Sequence, residues 1–296
     1  MQRKKLVGTL LLLAAAFMMT ATYAQATEGG GSAGANGAED FNAGAVPPPG
    51  FYYLNYLTYY AADNLKDDNG NTVPIAFNVK ATANVSRFIY VTDYKILGAN
   101  LGMQTLIPLV NLNVTTPGGH HSAAGLGDIL VTPALLAWHT KNFHAVTAID
   151  VFMPTGDYDK DTIANIGRNY FTMEAVAAGT YISDTGIELS TKLMYDVNSK
   201  NHKTDYQTGD EFHADYLLGY HLNKFKLGIN GFVYKQITDD GGSGATNGNK
   251  GQVFGLGPAF SYNYKDIDFA VKYQKEFLAE NRAEGQKVWF KLAMRF

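Results

Sequence analysis

The chain contains no cysteine among its 296 residues. Disulfide-stapled folds and cysteine-ligated metal centres are therefore excluded. A chain exported to an oxidising compartment without disulfides must gain its stability in another way. A closed β-barrel does so by pairing all of its backbone hydrogen-bonding groups between neighbouring strands.

Long hydrophobic runs are also scarce. The one apolar stretch extends from Leu6 to about Met19, and a membrane helix needs roughly 20 apolar residues. The basic residues Arg3, Lys4 and Lys5 precede it, and Ala24-Gln25-Ala26 follows it. This pattern predicts a secretory signal peptide over residues 1–26. The remaining chain is then either soluble in the periplasm or a barrel in the outer membrane.

An excess of positive charge is missing as well. The formal net charge is −3, and it falls to about −6 without the three basic residues of the predicted signal peptide. A nucleic-acid partner is not expected, because such a partner favours a basic surface. Tryptophan is rare, with 2 residues, but 19 tyrosines and 17 phenylalanines are present. Transmembrane barrels place such aromatic residues in girdles at both membrane interfaces.

The C-terminal ten residues carry the clearest pattern. Every second residue is apolar, and Lys291 and Arg295 lie between the apolar positions. This alternation predicts a strand with one apolar face and one charged face. It resembles the closing strand of bacterial outer-membrane barrels, which ends on an aromatic residue. We expect the apolar residues to meet lipid and to form the signal for the barrel assembly machinery: Phe290, Leu292, Met294 and Phe296.

Residues 51–296 divide into about twelve strand-like runs, which predicts an all-β protein, an antiparallel transmembrane β-barrel of the outer-membrane type. The runs cover residues 51–60, 76–92, 96–114, 127–138, 143–154, 169–182, 187–197, 211–222, 225–238, 252–264, 267–279 and 287–296. Long polar connectors alternate with short ones, as expected for long outer loops and short periplasmic turns. Residues 27–50 are interpreted as a flexible periplasmic segment, with a plug inside the barrel as the alternative. A Gram-negative outer membrane is the predicted location.

Polar residues on the strands should point into the lumen, because Lys or Arg facing lipid at the membrane midplane costs roughly 2–4 kcal/mol. The predicted lumen-lining residues are Lys80, Asn84, Asp150, Glu188, Lys192, Asp196, His213, Asp215, Lys272, Gln274, Glu276, Lys291 and Arg295. Their mixed charges are compatible with a lumen filled by ion pairs and with an open channel. The lumen of a twelve-strand barrel is intermediate in width between the filled eight-strand barrels and the open sixteen-strand porins.

Two other groups of residues have the chemistry of a possible site. His120 and His121 are adjacent on a predicted loop without nearby cysteine or paired carboxylates, so a metal site is not predicted. Ser190 and His213 lie on neighbouring predicted strands, but no hydrolase motif surrounds them. We therefore predict no catalytic activity and no cofactor, and a lipolytic barrel enzyme is the weakest of the alternatives.

Several short motifs resemble one family in their order and spacing. They are Gly125-Leu126-Gly127-Asp128 with Pro133 and Trp138, Pro154-Thr155-Gly156-Asp157-Tyr158, Asn165-Ile166-Gly167-Arg168-Asn169, Gly37-Ala38-Glu39-Asp40-Phe41, Pro47-Pro48-Pro49-Gly50 and Asn55-Tyr56. The family is the outer-membrane family labelled "putative MetA-pathway of phenol degradation", and the N-terminal motifs resemble a subgroup linked by name to sphingosine. Locally, the glycines suit tight backbone, and Asp128 or Asp157 suits the capping of amides.

The resemblance implies a barrel that transports hydrophobic or aromatic compounds, and it implies no catalysis. The resulting hypothesis is a channel for diffusive uptake of small hydrophobic or aromatic compounds or long-chain amphiphiles. Its partners would be this solute, outer-membrane lipid and the assembly machinery. The alternative is a closed barrel with a structural, adhesive or lipid-binding role that acts through its outer loops.

Overall fold

The computed structural model describes residues 26–243, 245 and 249–296, so the predicted signal peptide, apart from Ala26, lies outside the described residues. The described chain contains one short 3-10 helix, Glu28–Gly30, and fifteen strands. None of its helices is long and apolar enough to cross a membrane. The strands are β1 Gly50–Leu65, β2 Asn78–Ile96, β3 Ala99–Thr116, β4 Gly119–Leu126, β5 Ile129–His139, β6 Phe143–Met153, β7 Thr172–Ile182, β8 Ile187–Asn198, β9 Tyr206–Gln207, β10 Glu211–Leu222, β11 Phe225–Gln236, β12 Gly241–Gly242, β13 Gln252–Tyr264, β14 Ile267–Glu280 and β15 Ala283–Arg295.

Thirteen of these strands form a closed antiparallel barrel of twelve strands, in which β4 and β5 count as one, and this confirms the predicted fold class. β15 pairs with both β14 and β1, and Tyr52 to Tyr60 of β1 lie opposite Arg295 to Lys287 of β15. β4 and β5 both pair with β3, so they act as one long strand that is interrupted at Gly127 and Asp128. β9 and β12 pair only with each other, in the long loops.

Short turns and long loops lie at opposite ends of the barrel, as the connector lengths predict, but three connectors differ from the prediction. The turn after β2 lies at Leu97 and Gly98 rather than near Asp93 and Tyr94. Residues 116–123 mostly extend β3 and β4 as a hairpin, and residues 280–286 contain a tight turn between β14 and β15. In each case a polar or glycine-containing sequence continues the backbone ladder, because strand pairing overrides local loop composition.

Apolar side chains cover the outer wall, where every second residue of each strand faces outward. Phe290 and Phe296 are exposed on this face, and the Phe296 ring lies 5.7 Å from that of Phe51. The prediction for Lys80 and Asn84 is wrong, because both lie on the outward face of β2 opposite Ala61 and Leu57.

The error on β2 has a physical explanation. The inward face of this strand carries Arg87, Ile89 and Val91, so its inner side is largely apolar and its outer side is partly polar. Outward-facing Asn84 forms a reciprocal side-chain amide pair with Asn55, and both N···O distances are 3.1 Å. The paired amides satisfy each other's hydrogen bonds on the outward face. A polar residue at this position therefore does not need to face the lumen.

Residues 26–49 lie inside the barrel; we call them the plug. The backbone N–H of Ala26 donates to the Asn281 carbonyl at the long-loop end, at 3.1 Å. Gly44 donates to Thr180 near the short-turn end, and the chain enters β1 at Gly50. Of the two arrangements left open for this segment, the structure has the one inside the lumen rather than the flexible periplasmic tail.

Candidate functional site

Two acidic side chains of the plug are paired with basic side chains of the barrel wall. The Asp40 carboxylate lies between Lys291, which it contacts directly, and Lys272, whose Nζ is 3.4 Å away. Glu39 forms an ion pair with Arg87 at 2.8 Å. All of these groups are buried or nearly so. Buried charges persist in a folded protein when they are paired and hydrogen-bonded, so these pairs fix the plug in the lumen.

The plug backbone is also held by the wall. The Asp215 carboxylate accepts the backbone N–H groups of Gly37 at 2.9 Å and Glu39 at 2.8 Å. Lys272 Nζ donates to the carbonyl oxygens of Ala38 and Glu39, at 2.6 and 2.9 Å. A segment without regular secondary structure must find partners for its backbone groups when it is buried, and charged side chains of the wall provide them here.

Phe41 is the main apolar anchor of the plug. Its ring is buried against Leu217 and Ala259. The wall beneath it is made of glycine: a Cβ atom added at Gly219 would lie 2.7 Å from the ring, and one added at Gly228 would lie 3.2 Å from it. The missing side chains create the recess that the aromatic ring fills.

The outer end of the plug is fixed by the long loops. The Glu28 carboxylate accepts hydrogen bonds from Asn201 at 2.9 Å, Thr204 at 2.6 Å and Tyr158 at 2.9 Å. The Arg168 guanidinium donates to the carbonyl oxygen of Glu28. The plug is therefore bound to the loops at one end and to the charged wall along its middle.

The sequence motifs around Asp128, Gly156 and Gly167 contact one another at the junction of β4 and β5. The Asp128 carboxylate accepts the backbone N–H of Gly156 at 2.9 Å and that of Arg168 at 2.7 Å. Gly156 and Gly167 pack backbone to backbone, and a Cβ atom at Gly156 would lie 2.7 Å from Gly167 Cα. These contacts give the motif a structural role, in agreement with the local interpretation of its residues.

A second part of the inner wall is apolar and lined largely by small side chains. We call it the apolar wall; it is formed by Leu135, Ala137, Val146, Ala148, Val176, Ala178 and Met194, on strands β5 to β8. Val46 of the plug packs against it. A cavity of about 30 Å³ remains between this wall and the plug, beside Ala43 and Val46. A space of this size holds a water molecule or two and no organic solute.

Eleven of the thirteen predicted lumen residues lie on the inner face, and Lys80 and Asn84 do not. Besides the plug contacts above, Glu188 accepts the Asn42 N–H at 2.5 Å, and Arg295 lies at the periplasmic mouth beside Pro49. The remaining inward residues are Asp150, Lys192, Asp196, His213, Gln274 and Glu276. The inward charged residues that were missed include Arg87, Glu174, Glu211, Lys226 and Lys287.

The residues weighed for catalysis do not form a catalytic pair. Ser190 lies opposite Leu217 of β10, four residues from His213, and its hydroxyl is hydrogen-bonded to Thr180 and Glu188. His120 and His121 lie on β4 and not in a loop as predicted, and His121 is bonded to Thr162 at 3.0 Å. Among the described residues, one group of metal-ligating side chains converges, namely Asp196, Glu211 and His213 on β8 and β10.

Solved structures with the same fold are outer-membrane barrels. The COG4313 outer membrane channel from Pseudomonas putida F1 has a TM-score of 0.78 and 16% identity, over 87% of this chain and 99% of that chain. The translocator domain of autotransporter NalP from Neisseria meningitidis has a TM-score of 0.51 and 10% identity, over 86% of this chain and 91% of that chain. No curated protein matches the sequence. The fold is thus that of a Gram-negative outer-membrane barrel, in agreement with the predicted location. The family model described as "Putative MetA-pathway of phenol degradation" matches residues 62–292, and the chain belongs to this family.

Proposed function

We propose that the protein is an outer-membrane channel for the diffusive uptake of small hydrophobic or aromatic compounds or long-chain amphiphiles. The observation that carries this proposal is the apolar wall, a continuous inward surface of small apolar side chains beside the plug. A lumen that served only ions or sugars would have no use for such a surface. The structural likeness to an outer membrane channel and the family membership support the same reading.

Passage requires the plug to move, because the remaining cavity of about 30 Å³ is too small for an aromatic solute. The inner wall behind the plug is built mainly from alanine and valine, with Leu135 on β5 and Met194 on β8, so displacement of residues 41–46 would leave space along it. Polar groups border the same cavity at Arg87, Gln104 and Lys192. This combination suits an amphiphile whose apolar part follows the wall while its polar end meets the charged groups.

A matched pair of variants on β7 tests the route. Ala178 faces the lumen on the apolar wall, whereas its neighbour Ala177 faces outward. Liposomes containing the folded barrel should take up a monoaromatic compound and a single-chain amphiphile faster than a polar solute of the same size. Ala178→Phe should reduce this uptake several-fold, because the added ring occupies the path, and Ala177→Phe should leave it unchanged.

Two results would contradict the proposal. The wild-type barrel could transmit apolar solutes no faster than empty liposomes, or the two variants could behave alike. A negative uptake result would favour the second candidate, a closed barrel that acts through its outer loops. The observation in favour of that candidate is the filled lumen, in which the plug is bound to both the wall and the loops.

The C-terminal strand and the proposed partners form a separate part of the proposal. Phe290, Leu292, Met294 and Phe296 lie on one strand face, and we propose that the assembly machinery recognises this face and that lipid then covers it. Removal of Phe296 should lower the yield of folded barrel in cells while leaving refolding in detergent unaffected. Equal losses in both settings would point to a loss of stability instead.

A further inference from the structure

Three potential metal ligands converge in the outer half of the lumen, outside the contacts that hold the middle of the plug. They are Asp196 of β8 and Glu211 and His213 of β10, with 0%, 0% and 4% of their surface exposed. One ligand atom from each lies within 4.8 Å of the other two. Neighbouring strands create this cluster, because Glu211 is directly opposite Asp196 and His213 is two residues further on.

The polar atoms that point into this cluster lack partners. Neither carboxylate oxygen of Asp196 accepts a hydrogen bond, and His213 Nε2 makes none, although all three atoms are buried. The Nε2 atom lies 3.2 Å from Asp196 Oδ2 but without hydrogen-bonding geometry. Buried polar atoms are nearly always paired, so three orphaned atoms in one place indicate a missing ligand.

The surrounding groups orient the cluster as a metal site requires. His213 Nδ1 is 2.5 Å from the side-chain oxygen of Asn36, which can only accept, so Nδ1 carries the proton and Nε2 has a free lone pair. The Glu211 carboxylate is fixed by the Tyr234 hydroxyl at 2.6 Å and by Asn198 at 3.3 Å. Such outer contacts fix the ring and the carboxylate in the positions used by metal ligands.

The charge balance also favours a cation. The carboxylates of Asp150, Glu174, Asp196 and Glu211 lie in this region, and the Lys192 ammonium is 3.5 Å from Glu174 and 4.0 Å from Asp150. The Arg282 guanidinium, which stacks on Tyr234, is a second positive group near the cluster. Four carboxylates therefore outnumber these two positive groups, and their burial is unfavourable unless further positive charge is bound. A divalent ion between Asp196, Glu211 and His213 would supply it.

We propose that Asp196, Glu211 and His213 bind one divalent first-row transition-metal ion, with Zn²⁺ as the reference ion. One imidazole and two carboxylates form a donor set suited to such ions, at metal–ligand distances of about 2.0–2.2 Å. Because Asn36 belongs to the plug and orients His213, the ion also couples the plug to the barrel wall. The loops above the site and the plug beside it would make its release slow.

Metal binding to the full folded barrel tests the proposal. Protein stripped with a chelator is titrated with Zn²⁺ by calorimetry and with Co²⁺ by absorption spectroscopy. We expect one equivalent per chain. Asp196→Asn and His213→Gln should weaken binding by at least about 10-fold, and Asn36→Ala by roughly 10-fold through loss of the outer contact. His221 of β10 is bonded to Glu188 at 2.5 Å, and His120 and His121 lie on β4, so all three are outside the cluster. His221→Gln and the double variant His120→Gln/His121→Gln are therefore the matched controls and should bind as the wild type does. Heat-dependent mobility in detergent gels verifies that each variant is folded.

The X-ray absorption spectrum of the Zn²⁺-loaded wild type provides a test that needs no variant. It should show one imidazole nitrogen and carboxylate oxygens in the first coordination shell. Absence of bound metal in the stripped and titrated wild type would overturn the proposal and leave a proton shared among the carboxylates as the explanation. Binding that survives Asp196→Asn and His213→Gln, or that is lost in the double variant His120→Gln/His121→Gln, would overturn it as well.

Discussion

The two sides of the lumen contact the plug through different kinds of interaction. On one side Lys272, Lys291 and Arg87 pair with plug carboxylates, and Asp215 binds plug amides. On the other side the apolar wall meets the plug mainly through Ala43 and Val46, and among the described residues only Thr180 and Glu188, near the short-turn end, accept plug N–H groups there. Ion pairs and charge-assisted hydrogen bonds are strong and directional, whereas contacts with alanine and valine are weak and tolerate displacement. The difference suggests that one side of the lumen holds the plug and the other side provides the path.

The largest expected effect follows from neutralising Asp40. Asp40→Asn keeps the shape of the side chain but leaves the ammonium groups of Lys272 and Lys291 buried without their counter-ion. Breaking a buried pair in this way costs about 3–5 kcal/mol, which corresponds to a roughly 10²–10⁴-fold larger population of the displaced plug. Single-channel recordings should therefore show many more open events than the wild type.

A matched control for this charge change lies in the outer loop. The Asp67 carboxylate accepts its hydrogen bonds from Asn69 and Asn71 of its own loop, so Asp67→Asn should leave conductance unchanged. If Asp40→Asn gives the same closed recordings as Asp67→Asn, the charged side does not hold the plug and the comparison between the two sides fails.

A somewhat smaller effect is expected at the aromatic anchor. Phe41→Ala empties the recess over Gly219 and Gly228, and removal of a buried phenylalanine costs about 3 kcal/mol. Amide hydrogen exchange across residues 37–44 should accelerate by about two orders of magnitude. Phe269→Ala removes a phenylalanine from the outward face and should leave that exchange unchanged. Equal protection in both variants would show that the ring contributes little to docking.

The barrel could be predicted from the sequence because its signals are local. Alternation in β15, the lengths of the connectors and the C-terminal aromatic residue each depend on residues that are close in the chain. The inward placement of Lys272 and Glu188 followed from the same alternation. It failed for Lys80 and Asn84, because Asn55 satisfies Asn84 on the outward face, and this pairing depends on the register between β1 and β2.

The plug could not be predicted with the same certainty, because its contacts are distant in sequence. Asp40 is 251 residues from Lys291, and Gly37 is 178 residues from Asp215. Residues 27–46 show no strand period, so composition alone suggests a flexible segment. The motif from Gly37 to Phe41 was the available signal, since it places two acids and an aromatic residue together in a glycine-rich segment.

The candidate metal cluster could not be predicted either, because it depends on the register between two strands. Asp196 and His213 were both expected in the lumen, but their contact requires that β8 and β10 pair with Glu211 opposite Asp196. A shift of one residue would turn one of the two side chains outward. The sequence alone indicates which face of the sheet each side chain occupies. It does not indicate which residue of the neighbouring strand lies opposite.

The smallest expected effect lies on the apolar side of the lumen. It tests directly whether the charged side and the apolar side hold the plug differently. Val46→Ala removes two methyl groups from a half-buried side chain that packs against the apolar wall and, at its other edge, against Tyr52, Ile89 and Val91. This should cost only about 1 kcal/mol. Hydrogen exchange of the plug should therefore change by less than 10-fold, far less than in Asp40→Asn. Val197→Ala, on the outward face of β8, is the matched control and should have no effect on the plug. Because the truncation also enlarges the space beside Ala43, uptake of an aromatic solute should rise slightly. If Val46→Ala loosens the plug as much as Asp40→Asn does, both sides hold it equally, and the apolar wall has no separate role as a path.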